Sequence, residues 1–205
     1  MLPQPDPRAV FLNIPYDDEF QDLYLAYIVG LCHLGLEPRL ASEIPGGERR
    51  LNRILTLVQH CRYSLHDLSR VEVAPKPNAT PRFNMPLELG IAVTWTELHR
   101  RRHTWFVFEA EPYRLQRSAS DLNGTDPNIH YGTPVGVLAE LRNAFLLPSP
   151  PAVQAMLVTW RIVQQNLAAI LANAGTQNVY SPSVFRDLRF FTLSAIQEVE
   201  KRPGG

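Results

Sequence analysis

Hydrophobic and polar positions along the chain fall into segments of two alternating periods. Residues 8–14 (RAVFLNI) form a short apolar run of strand formers closed by Pro15, the pattern of a strand buried within a parallel sheet. From Asp17 the period lengthens: Phe20, Leu23, Tyr24, Tyr27, Ile28 and Leu31 recur at helical spacing, acidic residues crowd the first turn, and Gly35 stands just past the end. Residues 37–42 read as a second, weak strand, followed by Pro45-Gly46-Gly47 and a helix with Leu51, Ile54, Leu55, Val58 and Cys61 on one face. Residues 62–67 (RYSLHD) predict a third strand, and a Pro- and Asn-rich loop over 73–83 delivers the chain to a helix over 85–99. Residues 104–109 (TWFVFE) are the clearest strand of all. Helices over 116–122 and 134–146, with a short strand over 128–131 between them, continue the alternation.

Strands alternating with helices predict an α/β fold, a flavodoxin-like or Rossmann-like parallel sheet with helices on both faces, over residues 1–147. Pro148-Ser149-Pro150-Pro151 cannot continue a helix and marks the end of that domain. Residues 148–205 form a helical extension. Val153, Met156, Leu157, Trp160, Val163, Leu167, Ile170 and Leu171 make one apolar stripe, and Val184, Leu188, Phe191, Ala195 and Val199 make another. Two helices cannot bury these stripes against each other alone, so the extension is expected to cover the α/β domain, to join copies of the chain in a homo-oligomer, or to bind a partner protein.

Composition narrows the function classes. Twenty basic residues balance twenty acidic ones, so the net charge is zero and no charge-driven nucleic-acid or membrane-surface partner is expected. A hydrophobic share of 45% with 20% charged residues is that of a folded domain. Cys32 and Cys61 lie on segments that read as apolar helix faces and form no CxxC pair, which predicts neither a zinc site nor a disulfide and fits a reduced cytoplasmic location. Residues 1–7 carry three prolines and no apolar export segment, and no run approaches the roughly 18 apolar residues of a membrane span. His99 and His103 have the i, i+4 spacing of a metal pair, but Arg100-Arg101-Arg102 between them repels a cation, so no metal is expected.

In a doubly wound sheet the loops at the carboxyl ends of the strands form the ligand crevice, so polar residues just after each strand are the candidates. After the first strand come Asn13, Tyr16 and Asp17; after the second, Gly46 and Gly47, beside Arg49 and Arg50; after the third, Asp67, Ser69 and Arg70; and the helix after the long loop opens with Asn84 and Met85. Gly46 and Gly47 form either a phosphate-admitting turn or a plain tight turn before a helix. Glu88 lies one turn into the otherwise apolar run Met85-Pro86-Leu87-Glu88-Leu89-Gly90-Ile91-Ala92. A carboxylate there either faces a cationic transition state or simply satisfies free N–H groups at the helix start.

The segment from Arg82 to Ala92, with Glu88 at its centre, resembles the nucleophilic-Glu motif of nucleoside 2-deoxyribosyltransferases, and Asp67 in His66-Asp67-Leu68-Ser69 matches that family's upstream Asp. The opening from Val10 to Phe20 is similar to the first strand and loop of TIR domains, whose catalytic Glu also follows the third strand. The stretch from Val10 to about Phe145 looks most like TIR-like and deoxyribosyltransferase-like effectors of bacterial phage defence. Asn84-Met85-Pro86 replaces the glycine-rich lead of the transferases, and the TIR-type Trp-Cys is absent. The resemblance implies cleavage or transfer at an N-glycosidic bond of a nucleoside, nucleotide or NAD, without a cofactor, NAD serving as substrate. Glu88 would be nucleophile or oxocarbenium stabiliser and Asp67 would position the sugar, with Asn13 and Tyr16 lining the pocket. The alternative expectation is a non-catalytic module that binds a nucleotide signal or a protein partner through the same crevice.

Overall fold

The computed structural model describes residues 4–44, 47–71, 81–99 and 102–201. Its centre is an all-parallel five-stranded sheet in the order β2-β1-β3-β4-β5, flanked by helices, the strand order of flavodoxin-like α/β folds. The strands are β1 (Asp6–Asn13), β2 (Glu37–Arg39), β3 (Cys61–Asp67), β4 (Thr104–Glu109) and β5 (Asn128–Ile129). The helices are α1 (Gln21–His33), α2 (Arg50–His60), α3 (Asn84–Leu98), α4 (Arg114–Ser118), α5 (Pro134–Ala144), α6 (Val153–Asn173) and α7 (Pro182–Glu200). Most of the loop expected over 73–83 lies outside the described residues.

The chain clusters into two compact units, and it crosses between them at Pro15/Tyr16, Leu36/Glu37 and Gly132/Thr133. The first unit holds the whole sheet with α2, α3 and α4. There Ala9 and Phe11, two apart on β1 and so on one face, pack with Ile54, Leu57 and Val58 of α2 and Ala92 of α3. A second apolar cluster joins Leu68, Met85, Leu89, Val107 and Leu115. The second unit holds α1, α5, α6 and α7, so the two C-terminal helices are packed with α1 and α5 rather than with each other alone.

Several elements differ from the sequence pattern, each for a local reason. β2 stops at Arg39 because Glu43 Oε2 takes the Leu40 N–H at 2.6 Å and the Arg39 Nε–H at 3.2 Å, winding residues 41–43 into a 3-10 turn. Cys61 is the first residue of β3 and not the last of a helical stripe. In α2 the buried face is Ile54, Leu57 and Val58, while Leu51 and Leu55 are exposed. The helix expected over 116–122 is instead α4 followed by a 3-10 turn at Ser120–Leu122, interrupted where Ala119 takes φ −140° and ψ 65°. Among the described residues no helix is long and apolar enough to cross a membrane.

Candidate functional site

Three strands of the first unit end in buried polar residues, which form two networks, and Glu88 of α3 forms a third. The parallel register sets Asn13 beside His66. The Asn13 amide nitrogen lies 3.0 Å from His66 Nδ1 and donates to the Met85 carbonyl at 3.0 Å, so its two protons have two acceptors. His66 Nδ1 therefore carries no proton and Nε2 does. That Nε2–H meets Ser64 Oγ at 2.8 Å; the Ser64 hydroxyl lies 2.8 Å from His103 Nε2, and His103 Nδ1 lies 2.9 Å from the Cys61 carbonyl. A carbonyl only accepts, so His103 donates from Nδ1 and receives from Ser64. Every proton along this buried chain has one consistent place. Burial pushes His66 down to about 3, helped by the neighbouring His103, and lowers His103 as well.

Asp67, fully buried, heads the second network. Its Oδ1 accepts from the Ser69 N–H at 2.9 Å and the Ser69 hydroxyl at 2.5 Å, and its Oδ2 lies 3.3 Å from His130 Nε2. His130 Nδ1 accepts the Gly132 N–H at 3.0 Å, which leaves the ring proton on the nitrogen facing Asp67. Beside it, Glu109 ends β4 with Oε2 accepting the Ala110 N–H at 2.9 Å and Oε1 3.8 Å from Arg114 Nε. Arg114 also donates to the Ser69 carbonyl at 3.0 Å. Burial raises the Glu109 carboxyl and Arg114 opposes the rise. The ends of β3, β4 and β5 are thus tied by two carboxylates, a histidine and an arginine.

Glu88 is the third case. Met85, Glu88, Leu89 and Ala92 form the buried stripe of α3 at i, i+3, i+4 and i+7, and Glu88 is its one charged member. The carboxylate is 3% exposed and its Oε1 lies 3.3 Å from Arg50 Nη2, on a side chain that is itself 53% exposed. Burial pushes the carboxyl above its usual range, while Arg50 and a hydrogen bond from the Asn84 side chain pull it back. Asp67 and Glu88 each have their own cationic or ring partner, His130 for one and Arg50 for the other.

The remaining candidates are distributed differently. Met85 has its side chain in the apolar core and contributes only its carbonyl; Asn84 is exposed, and Ser69 and Arg70 are half-buried. Gly47 is exposed, with nothing near the place a Cβ would take, and Gly46 lies outside the described residues. Tyr16 and Asp17 belong to the second unit. Tyr16 stacks on Tyr180 at 4.9 Å, and Asp17 caps a turn by accepting the Phe20 N–H at 3.1 Å while its carbonyl receives the Tyr180 hydroxyl at 2.6 Å. Of the spaced histidines, His99 stacks on Trp95 and His103 closes the first network. Among the described residues no group of three or more His, Cys, Asp and Glu side chains is placed to hold a metal ion.

Sequence reasoning overlooked Glu109, Arg114 and His130, although Glu109 and His130 satisfy the same end-of-strand rule that picked out Asp67. It saw Arg50 only as a neighbour of the glycine turn. A groove of about 580 Å³ between α2 and α3, lined by residues such as Leu55, Val58, Leu87, Ile91 and Trp95, carries no charged group and so none of this chemistry. No family model, curated protein or solved structure matches the chain.

Proposed function

We propose that the chain cleaves or transfers an N-glycosidic bond of a nucleoside, nucleotide or NAD, with Glu88 as the carboxylate that meets the sugar. The observation that carries this reading is the placement of Glu88: a single carboxylate in an apolar helix stripe, desolvated, and balanced by one arginine. Such a carboxylate is costly to a merely structural helix and strongly interacts with positive charge appearing beside it. When the C1′–N bond breaks, its electron pair leaves with the base and C1′ becomes electron-poor; a purine or pyrimidine then takes a proton from water, whereas the nicotinamide of NAD leaves as the neutral ring. Glu88 either stabilises that charge or forms a C1′–O bond; water, or a second base in transfer, then takes the C1′ position and regenerates the carboxylate. Asp67 acts here as a positioning residue, fixing Ser69 and His130 at the strand ends.

A second reading is favoured by the closure of the polar networks: Asp67 is fully buried and Glu88 nearly so, as in a module that binds without reacting. Chromatographic detection of free base after incubation with nucleosides, nucleotides and NAD separates the two. Under the enzymatic reading wild type releases base and Glu88→Gln is slower by about 10²–10³-fold, the loss typical of removing one charge-stabilising group. Equal release by both proteins overturns the role of Glu88, and ligand binding with no release by either favours the binding module.

A further inference from the structure

The Arg50–Glu88 pair is asymmetric in a way that a structural ion pair has no need to be. The carboxylate is 3% exposed, whereas the guanidinium that neutralises it is 53% exposed. Arg50 is the first residue of α2, whose opening turn holds no acidic residue and whose N-cap, Arg49, makes no side-chain hydrogen bond to the free N–H groups. Arg53, one turn on, donates to the Ala41 and Ile44 carbonyls at 3.3 and 3.4 Å. The dipole end, Arg49 and Arg50 bring positive charge to this helix start against the single exposed carboxylate of Glu48 just before it, and the nearby Gly47 offers no Cβ to obstruct an approach.

From this geometry we infer that Arg50 is a specificity-determining residue that exchanges Glu88 for the phosphate of a nucleotide, so that the preferred ligand class is phosphate-bearing and not a plain nucleoside. The inference rests on the reading of Glu88 given above. A phosphate offers a guanidinium two oxygens in fork geometry and more charge than one carboxylate oxygen at 3.3 Å. The exchange moves only the exposed partner, a long and flexible side chain. It leaves Glu88 buried with the Asn84 hydrogen bond but no cation, a state that is costly unless positive charge develops next to it. The sugar supplies that charge as the C1′–N bond breaks. A nucleoside without phosphate leaves Arg50 on Glu88 and its carboxylate neutralised, so phosphate recognition and release of the catalytic charge become one event.

The test compares a nucleoside, its 5′-monophosphate and NAD on wild type, Arg50→Gln, Arg50→Lys and Glu88→Gln, by base release and by calorimetric binding. Wild type is expected to favour the monophosphate over the nucleoside by tenfold or more in kcat/KM, with that ratio falling toward one in Arg50→Gln and partly kept in Arg50→Lys. Binding gives a readout independent of turnover. Glu88→Gln, which frees Arg50 from its competing carboxylate, should bind the monophosphate more tightly than wild type, and Arg50→Gln more weakly by about tenfold. If no protein releases base but these binding changes appear, the partner exchange stands and the enzymatic reading fails. Equal affinity of wild type and Arg50→Gln for the monophosphate, or equal turnover of nucleoside and monophosphate by wild type, overturns the inference. The NAD arm decides whether a pyrophosphate diester serves as well as a terminal phosphate.

Discussion

His66 illustrates how a single buried side chain couples the site to pH. Its two ring nitrogens do opposite work, one accepting from Asn13 and the other donating to Ser64, so only the neutral ring with its proton on Nε2 fits. The folded chain holds this ring at about 3 against a usual 6.5. Between those values the unfolded chain binds a proton that the folded chain refuses, so the stability contribution is full above pH 6.5 and falls as pH drops toward 3. The slope is about 1.4 kcal/mol per pH unit for one fully buried histidine. His103 is displaced in the same direction, as is His33 in the other unit, which burial pushes down to about 4. Glu88 and Glu109, raised above 4.5 by burial, act with the opposite sign and return stability as they are protonated below their raised values. The histidine loss sets in as pH falls through 6.5, and protonation of the two glutamates works against it. Urea midpoints should stay level from pH 7.5 to 6.5 and fall by pH 5.5, and His66→Asn, which keeps an acceptor for Asn13 but no titrating ring, should flatten the fall. A midpoint unchanged down to pH 5.5 would contradict the neutral relay.

Among the elements, α1 shows most clearly what pattern reading catches and what it misses. The helical spacing of Phe20, Leu23, Tyr24, Tyr27, Ile28 and Leu31 identifies one apolar face, yet residues 23–32 are all buried. A helix apolar all round requires cover all round, and in its own unit that cover comes from α5, α6 and α7. Gly30 is the point of closest approach: a Cβ there would lie 2.5 Å from Leu141 Cδ1 and 3.2 Å from Leu138 Cδ2. Gly30→Ala gains about 1 kcal/mol of helix propensity and must displace Leu141, so its net effect should be within about 1 kcal/mol of wild type. Gly30→Leu has no such compensation and should cost about 3 kcal/mol in denaturant unfolding, with Leu141→Ala restoring part of it. An unperturbed Gly30→Leu would deny the close contact. The strand β4 was legible because TWFVFE is an unbroken run of strand formers, Asn13 and Asp67 because they end strands, and Glu88 because it is the one charge in an apolar first helical turn. Their partners were not, because Arg50–Glu88 and Ser64–His103 join residues 38 and 39 positions apart, and only the packing of α2 on α3 and the parallel register bring them together. β2 was misjudged in length for a different reason, since no strand pattern registers that Glu43 will capture the Leu40 N–H.

At the scale of the molecule, the C-terminal helices complete a unit whose first helix lies more than a hundred residues upstream, and this gives the extension a structural purpose that does not require a partner. Trp160 donates to the Asp22 carbonyl at 3.1 Å, Gln164 to the Asp22 carboxylate at 3.0 Å, and His33 Nε2 lies 2.8 Å from Thr159 Oγ1. Tyr180 packs on Tyr16 and Tyr24 while its hydroxyl reaches the Asp17 carbonyl, so α6 and the segment before α7 grip α1 near both of its ends. A chain ended after Leu147 keeps α1 and α5 but loses these contacts, together with buried Met156, Val163, Leu188 and Val199 that share the unit's interior. It should precipitate or bind a hydrophobic dye and lose cooperative unfolding, because the side of α1 that α6 and α7 cover would then face water. Truncation alone would not separate lost cover from lost length, so the full chain with Val163→Asp is the sharper case. That site is 1% exposed, and an unpaired carboxylate there should cost about 3–5 kcal/mol. A conservative Val163→Ile should leave the transition within about 1.5 kcal/mol of wild type. If Val163→Asp melts as wild type does, α6 does not cover α1 and the apolar stripe faces a different surface.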